Sequence, residues 1–150
     1  MTGQRGHTLA IVQARTSSSR LPGKVLLPLA GEPMVLRQLE RISRAETLEG
    51  IVVATSDDPS DDELAVLLAD SGSDYIRGSL EDVLDRYVQA VDEYQPDVVV
   101  RLTADCPLIS PQVIDHVVER FHASNADYVS NTMRPTYPDG LDVEVMTAVA

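Results

Sequence analysis

The stretch that decides the fold is IVQARTSSSRLPGK, residues 11 to 24. It extends the apolar run Leu9–Val12, and parallel sheets bury continuous runs of this kind on both faces. We therefore predict a buried strand over residues 8–14. The chain then changes to a loop with serines, a Pro-Gly pair and three basic residues, and this loop is the first candidate for a functional site. The basic residues are Arg15, Arg20 and Lys24.

Apolar runs alternate with amphipathic segments along the rest of the chain. This alternation indicates an α/β fold in which helices cover both faces of a mostly parallel sheet. We predict a single domain over residues 1–150, built as a three-layer, Rossmann-like α/β/α sandwich. The chain stops in apolar residues without a cap or a polar tail, so we expect the fold to continue in a longer protein. Further strands are predicted at 51–55, 74–76, 97–103, 128–130 and 141–145.

Four helices are predicted between these strands from capping signals and apolar stripes. The signals place helix starts at Pro33, at Ser60 with Glu63, at Ser79, and at Ser110 with Pro111. Gly72 is expected to end the second helix. The third helix has the clearest stripe, and its apolar residues are expected to face the core. They are Leu80, Val83, Leu84, Tyr87, Val88 and Val91.

The charge is distributed unevenly. The net charge is −12, yet no acid precedes Glu32, so residues 1–31 sum to +4 and the remainder to −16. A polymeric nucleic acid partner is not expected, because it would require an extended basic face. A compact anion such as a nucleoside triphosphate needs only a few cations. Lys24 is the only lysine, which is either chance or a sign of function.

The cysteine content and the beginning of the chain bear on location. Cys106 is the only cysteine, which excludes an intrachain disulfide or a cysteine-cluster metal site and favours a reducing compartment. The polar first seven residues and the short apolar run at 9–12 fit neither a signal peptide nor a membrane span. We therefore expect a cytoplasmic protein without a membrane partner.

Ligands of open α/β sheets bind at the carboxyl ends of the strands. The loop at that position is not a Walker A loop, which would need glycine at Ser18 and a hydroxyl residue at Val25. The dinucleotide fingerprint GxGxxG is also absent. Hydroxyls, guanidiniums and an ammonium group nevertheless suit phosphate, so we interpret the loop as an anion site, with a solvated surface loop as the alternative. The other polar residues at strand ends are Ser56, Asp57, Arg77, Gly78 and Asp105.

Asp105 is the candidate metal ligand. Magnesium takes one or two carboxylates and completes its shell with water and phosphates, so one aspartate beside the loop suffices. A turn-forming aspartate is the alternative. Arg77 and Gly78 could approach a base or ribose, whereas we interpret Asp82 and Arg86 as an ordinary i, i+4 ion pair.

Several spaced blocks resemble one family. Ala-Arg-xx-Ser-x-Arg-Leu-Pro-Gly-Lys at 14–24 and Leu-x-Gly-x-Pro-Met at 29–34 resemble the cytidylyltransferases that activate acidic sugars, the 3-deoxy-manno-octulosonate and acylneuraminate enzymes. RGSLEDVLDRY at 77–87, RLTADCPLI at 101–109 and YPDGLDVEV at 137–145 are closer still to the spore-coat polysaccharide biosynthesis protein F branch.

The resemblance implies a nucleotidyltransferase fold and the transfer of a cytidylyl group from CTP to a sugar or sugar acid. It implies Mg²⁺ as cofactor, release of pyrophosphate and a role in surface polysaccharide biosynthesis. By position, the catalytic residues are Arg15, Arg20 and Lys24, and the metal ligand is Asp105. The nucleotide-binding residues are Ala14, Arg15, Ser19, Arg20, Gly23, Lys24, Arg77 and Gly78. The sugar-binding residues are Asp139, Gly140, Asp142 and Glu144.

Members of this family are longer than 150 residues. The resemblance therefore implies that a second magnesium carboxylate, part of the sugar pocket and the contacts of a homodimer lie in a further region. One alternative is a nucleotide-binding module or fragment without catalysis. Another is a nucleotide-sugar-dependent glycosyltransferase, although that class usually has a paired-acid metal motif, and Asp105 is followed by Cys106 and Pro107.

Overall fold

The fold is a six-stranded sheet with helices on both faces, in a computed structural model that describes residues 6–149. The strands are β1 (Thr8–Gln13), β2 (Pro28–Leu29), β3 (Glu32–Pro33), β4 (Gly50–Ser56), β5 (Tyr75–Gly78), β6 (Val98–Thr103), β7 (Tyr128–Ser130) and β8 (Glu144–Thr147). The helices are α1 (Met34–Ile42), α2 (Asp62–Asp70), α3 (Val83–Tyr94) and α4 (Pro111–His122), with short 3-10 turns at Lys24–Leu26 and Pro59–Asp61.

The strand order in the main sheet is β5-β4-β1-β6-β8-β7. The four strands from β5 to β6 are parallel, and β8 runs antiparallel between β6 and β7. β2 and β3 form a separate two-stranded hairpin. The predicted α/β class with a mostly parallel sheet is confirmed.

Alternate residues of β1 point into two separate cores, which makes the three layers. Ala10 and Val12 belong to the larger core, where α1, α2 and α4 supply buried residues such as Val35, Leu68 and Ile114. Leu9 and Ile11 belong to the smaller core on the opposite face, against α3. Both faces of β1 are therefore covered, as its continuous apolar run predicts.

The prediction of the α3 stripe was partly right: Tyr87 and Val91 pack against the smaller core, but Leu84 and Val88 do not. Leu84 is 72% exposed and Val88 is 48% exposed, whereas Arg86 and Ala90 are buried. The helix begins at Val83, so Leu80 lies outside it. Its cap is also different: Asp82 Oδ1 accepts from Asp85 N at 3.0 Å. Arg86, Tyr87 and Ala90 share the face turned to the sheet, so helical spacing places Leu84 and Val88 on the side toward solvent.

Two other predicted helix starts differ from the structure. The side chain of Asp58 caps the turn before α2, accepting from Ser60 N at 2.9 Å, so the predicted capping box at Ser60 and Glu63 was wrong. Pro33 lies in β3 and immediately precedes α1. The other signals are confirmed: α4 begins at Pro111, and Gly72 follows the end of α2 with φ +69°.

The last strand begins later than predicted. Leu141 and Val143 do not pair with a neighbouring strand, because the side-chain amide of Asn131 binds both. Asn131 donates from Nδ2 to Leu141 O at 2.8 Å and accepts at Oδ1 from Val143 N at 2.9 Å. No helix within residues 6–149 combines the length and apolar character needed to span a membrane.

Candidate active site

A cavity of about 250 Å³ lies at the carboxyl ends of β1 and β6. The 14–25 loop lines one side, and the turn after β6 lines the other. The structure therefore brings the three predicted cations and the predicted metal ligand around one space. The lining residues are Gln13, Ala14, Arg15, Ser18, Ser19, Arg20, Lys24, Val25, Thr103, Ala104 and Asp105.

The loop closes on itself through the carbonyl of Thr16. Thr16 O accepts from both Ser18 N and Gly23 N, each at 2.8 Å. Gly23 has φ +69°, a conformation that glycine adopts at no steric cost. Gly23 does not line the cavity but supplies the turn that returns the chain to it, and Lys24 follows at the start of a 3-10 turn.

Asp61 fixes the loop from below. Its side chain is fully buried. Oδ1 accepts from Thr16 N at 2.6 Å and lies 2.8 Å from Thr16 Oγ1, while Oδ2 accepts from Ser56 Oγ. Asp61 was not among the predicted site residues, because it is one of several acids in PSDDE and nothing local marks it as buried.

Asp105 faces the loop across the cavity. Oδ2 lies 3.2 Å from Lys24 Nζ, and Oδ1 accepts from Thr103 Oγ1 at 2.7 Å. Burial opposes ionisation of this carboxyl, but the hydrogen bonds from Thr103 and Lys24 outweigh it and hold the pKa of Asp105 below its ordinary value. Asp105 is therefore a carboxylate at neutral pH, which is the state that a metal ligand requires.

Gln38 holds the turn that carries Asp105. It is fully buried on α1. Its Nε2 donates to Thr103 O at 2.7 Å, and its Oε1 accepts from Cys106 N at 3.2 Å. This residue was also missed, although a polar residue on the buried side of the α1 stripe was a signal that could have found it.

Among the described residues, no group of three or more histidine, cysteine, aspartate or glutamate side chains could hold a metal ion. One carboxylate beside three cations cannot bind a divalent ion tightly by itself. It does fit a magnesium ion that arrives with a nucleotide and takes most of its ligands from phosphates and water.

A second cavity of about 610 Å³ adjoins the first at Thr103 and Asp105. Its other wall is the 138–142 loop, so three of the four predicted sugar-binding residues line it: Asp139, Gly140 and Asp142. Burial is the main cause of a raised pKa at the Cys106 thiol in this wall, and Asp142 adds to it. Cys106 is thus a neutral thiol at neutral pH.

Glu144 lies elsewhere, on the sheet. Its carboxylate pairs with Arg101 and accepts from Tyr128 Oη at 2.6 Å. Burial lowers the pKa of Arg101, but Glu144 and Tyr87 outweigh it and leave the value raised. Glu144 does not line either cavity, and its predicted contact with a sugar stays a prediction.

Arg77 and Gly78 are at the end of β5, and neither lines the two cavities. Arg77 donates to Ser56 O at 2.8 Å and pairs with Asp62 at 2.7 Å. Gly78 is crowded from beneath, since an added Cβ would lie 2.8 Å from Gln89 Nε2. Their predicted nucleotide contacts also stay predictions.

The predicted ion pair between Asp82 and Arg86 was wrong. Asp82 caps α3, and Arg86 is fully buried and donates from Nη1 to Ser79 O and Leu80 O. Burial lowers the pKa of Arg86, and the nearby positive charge of Arg15 lowers it further. Arg86 therefore supports the 79–80 segment from within instead of forming a surface pair.

A model of the family described as cytidylyltransferase matches residues 9–142. The chain belongs to the cytidylyltransferase family. It is 35% identical over 144 residues to the spore coat polysaccharide biosynthesis protein SpsF of Bacillus subtilis, covering 93% of the chain and 59% of that protein.

Two further relatives support the family assignment. The 3-deoxy-manno-octulosonate cytidylyltransferase of Zea mays is 36% identical over 121 residues, covering 78% of the chain and 39% of that protein. The structure of a cytidylyltransferase from Leptospira borgpetersenii has a TM-score of 0.89 at 33% identity, covering 95% of the chain and 60% of that structure. The chain spans about half the length of the curated relatives that it matches.

Proposed function

We propose that this chain carries the nucleotide-binding part of an enzyme that transfers a cytidylyl group from CTP to a sugar or sugar acid and releases pyrophosphate. The observation that supports it most is the cavity in which Arg15, Arg20 and Lys24 face the carboxylate of Asp105. Family membership supplies the reaction class. The name of SpsF supports a place in surface polysaccharide biosynthesis.

In this reaction a sugar hydroxyl oxygen bonds to the α-phosphorus as the bond from that phosphorus to the bridging oxygen breaks. Pyrophosphate leaves with the electron pair, and the hydroxyl proton passes to solvent. Charge develops on the phosphate oxygens, so Arg15, Arg20 and Lys24 act by holding the triphosphate and neutralising that charge. Ala14, Ser19 and the Gly23 turn shape the loop around it.

Asp105 would hold Mg²⁺ together with phosphate oxygens. A bound magnesium ion screens the triphosphate and polarises its oxygens. Asp139, Gly140 and Asp142 border the adjoining cavity and would contact the sugar, with Glu144 behind them on the sheet. Arg77 and Gly78 would lie near the cytidine at the end of β5.

The cellular setting of this function is part of the proposal. We place it in the cytoplasm, because the lone cysteine Cys106 suits a reducing compartment. The rest of the protein would complete the sugar site, since the chain spans about half the length of its curated relatives. The protein would act as a homodimer.

The test is pyrophosphate release from CTP and Mg²⁺ with a panel of acceptor sugars and sugar acids. The control variant is Arg44→Ala, because Arg44 is an exposed cation whose partner is Glu40 on α1, away from the cavity. Lys24→Ala should abolish most of the signal while Arg44→Ala retains it. Equal activity of the two variants would remove Lys24 from its role.

A second candidate is a nucleotide-binding module that does not turn over an acceptor by itself. The limited coverage of its relatives supports this reading, since a sugar pocket can require the remainder of the protein. CTP with Mg²⁺ should then raise the melting temperature without releasing pyrophosphate. Stabilisation by none of the four nucleoside triphosphates would contradict both candidates.

A further inference from the structure

Thr16 is the residue on which both ends of the 14–24 loop depend. Its carbonyl oxygen accepts from Ser18 N and from Gly23 N, so it joins the beginning of the loop to its end. Its own amide and hydroxyl are directed the other way, toward Asp61. Thr16 is 8% exposed, which places this junction beneath the loop and away from the cavity.

Asp61 holds Thr16 in place through hydrogen bonds. Its carboxylate is fully buried and accepts from Thr16 N, Thr16 Oγ1 and Ser56 Oγ. Thr16 Oγ1 also lies 2.7 Å from Ser60 O, so its proton has two acceptors within reach. Hydrogen bonds to a buried carboxylate are among the stronger ones in proteins. Asp61 itself is fixed at the junction of the 3-10 turn and α2.

We propose that Thr16 and Asp61 form a latch that positions the loop for the triphosphate, and that both are positioning residues. The inference rests on the proposed nucleotide function. Arg15 precedes Thr16 directly, and Arg20 and Lys24 flank the Gly23 end, so the latch sets the spacing of all three cations. A loop that is ordered before the ligand arrives loses less conformational entropy on binding.

The chain offers a matched control for this latch. Thr47 and Asp115 repeat the contact, with Thr47 N and Oγ1 bound to Asp115 Oδ1 at 2.9 and 2.7 Å. Thr47 precedes the start of β4, at the opposite end of the sheet from the cavity. Thr16→Val and Thr47→Val therefore remove the same hydroxyl from the same kind of contact, one beneath the loop and one far from it.

The experiment measures the affinity of the chain for CTP with Mg²⁺ and for inorganic tripolyphosphate, which tests the loop without the nucleoside. Thr16→Val should weaken both by about tenfold, the effect of losing one hydrogen bond to a buried charged group. Thr16→Ser keeps the hydroxyl and should bind nearly as the wild type does. Thr47→Val should leave both affinities within about twofold and should cost less thermal stability than Thr16→Val, since its contact is only partly buried.

Amide hydrogen exchange supplies a readout that does not depend on binding. Residues 17–23 should exchange faster in Thr16→Val than in the wild type or in Thr47→Val. Equal affinities and equal exchange in the two valine variants would overturn the latch. If the wild type binds neither CTP nor tripolyphosphate, the nucleotide function fails, and the exchange comparison alone then decides whether the latch orders the loop.

Discussion

Replacing Gln38 by methionine tests how the turn that carries Asp105 is supported. The substitution keeps the length of the buried side chain and removes its bonds to Thr103 O and Cys106 N. Both backbone groups then lose this partner. Because the turn is partly exposed, each lost bond should cost about 1 to 1.5 kcal/mol. The two losses together should lower the free energy of unfolding by about 2 to 3 kcal/mol. A chain of this size should then melt about 5 to 10 °C lower.

Urea unfolding and thermal melting measure this effect. Gln112→Met is the control, since Gln112 is exposed in the first turn of α4 and receives a bond only from Ser110 Oγ. It should change the free energy of unfolding by less than about 0.5 kcal/mol. If the two variants unfold at the same urea concentration, the side chain of Gln38 does not hold the turn, and the reasoning is refuted.

Three further predictions concern the loop, the exposed helix face and alkaline pH. Gly23→Ala should cost about 1 to 2 kcal/mol in urea unfolding, because φ is +69° although no atom crowds the added carbon. Leu84→Gln should cost less than about 0.5 kcal/mol and Leu68→Ala about 2 to 5 kcal/mol, since only Leu68 is buried. Burial raises the pKa of Tyr87 to about 12 from 10.0. Stability should therefore fall between those pH values, where the unfolded chain ionises first, and Tyr87→Phe should remove the late step in phenolate absorbance.

The sequence predicts the layers of this fold better than the phase of its helices. The run Leu9–Val12 is apolar on both faces, and only a strand in the centre of a sheet needs that. A helix stripe is less decisive, because apolar residues on α3 spread over more than one face and packing selects the face that is buried. In α3 the cap lies at Asp82, and Arg86 occupies a buried position that two apolar neighbours were expected to fill. Nothing in the local pattern shows which residue the helix buries.

The candidate site also contains residues that the sequence could place and residues that it could not. Charge and strand ends sufficed to place Arg15, Arg20, Lys24 and Asp105 together, because parallel strands end at one edge of the sheet. The supports of that site could not be found this way. Asp61 lies 45 positions from its partner Thr16, and Gln38 lies 65 positions from Thr103. Contacts of such separation depend on how the helices pack, so the place of Gln38 on the α1 stripe could indicate its burial but not its partners.

The ion pair between Lys24 and Asp105 leads to a final prediction about metal binding. Lys24 Nζ is 3.2 Å from Asp105 Oδ2, the oxygen that a magnesium ion would need. The pair is partly exposed, with side chains 29% and 49% accessible, and such pairs contribute about 0 to 1 kcal/mol. Lys24 should therefore compete weakly with magnesium until a triphosphate draws it away.

Lys24→Ala should consequently change the two affinities in opposite directions. Magnesium alone should bind the variant up to about fivefold more tightly, because a positive competitor has gone. CTP with magnesium should bind about tenfold or more weakly, because the triphosphate loses a charged donor. Isothermal titration of each ligand measures both, with Arg44→Ala as the control for loss of a distant cation. A parallel fall in both affinities would mean that Lys24 supports the metal ligand instead of competing for it, and the proposed exchange of partners would be wrong.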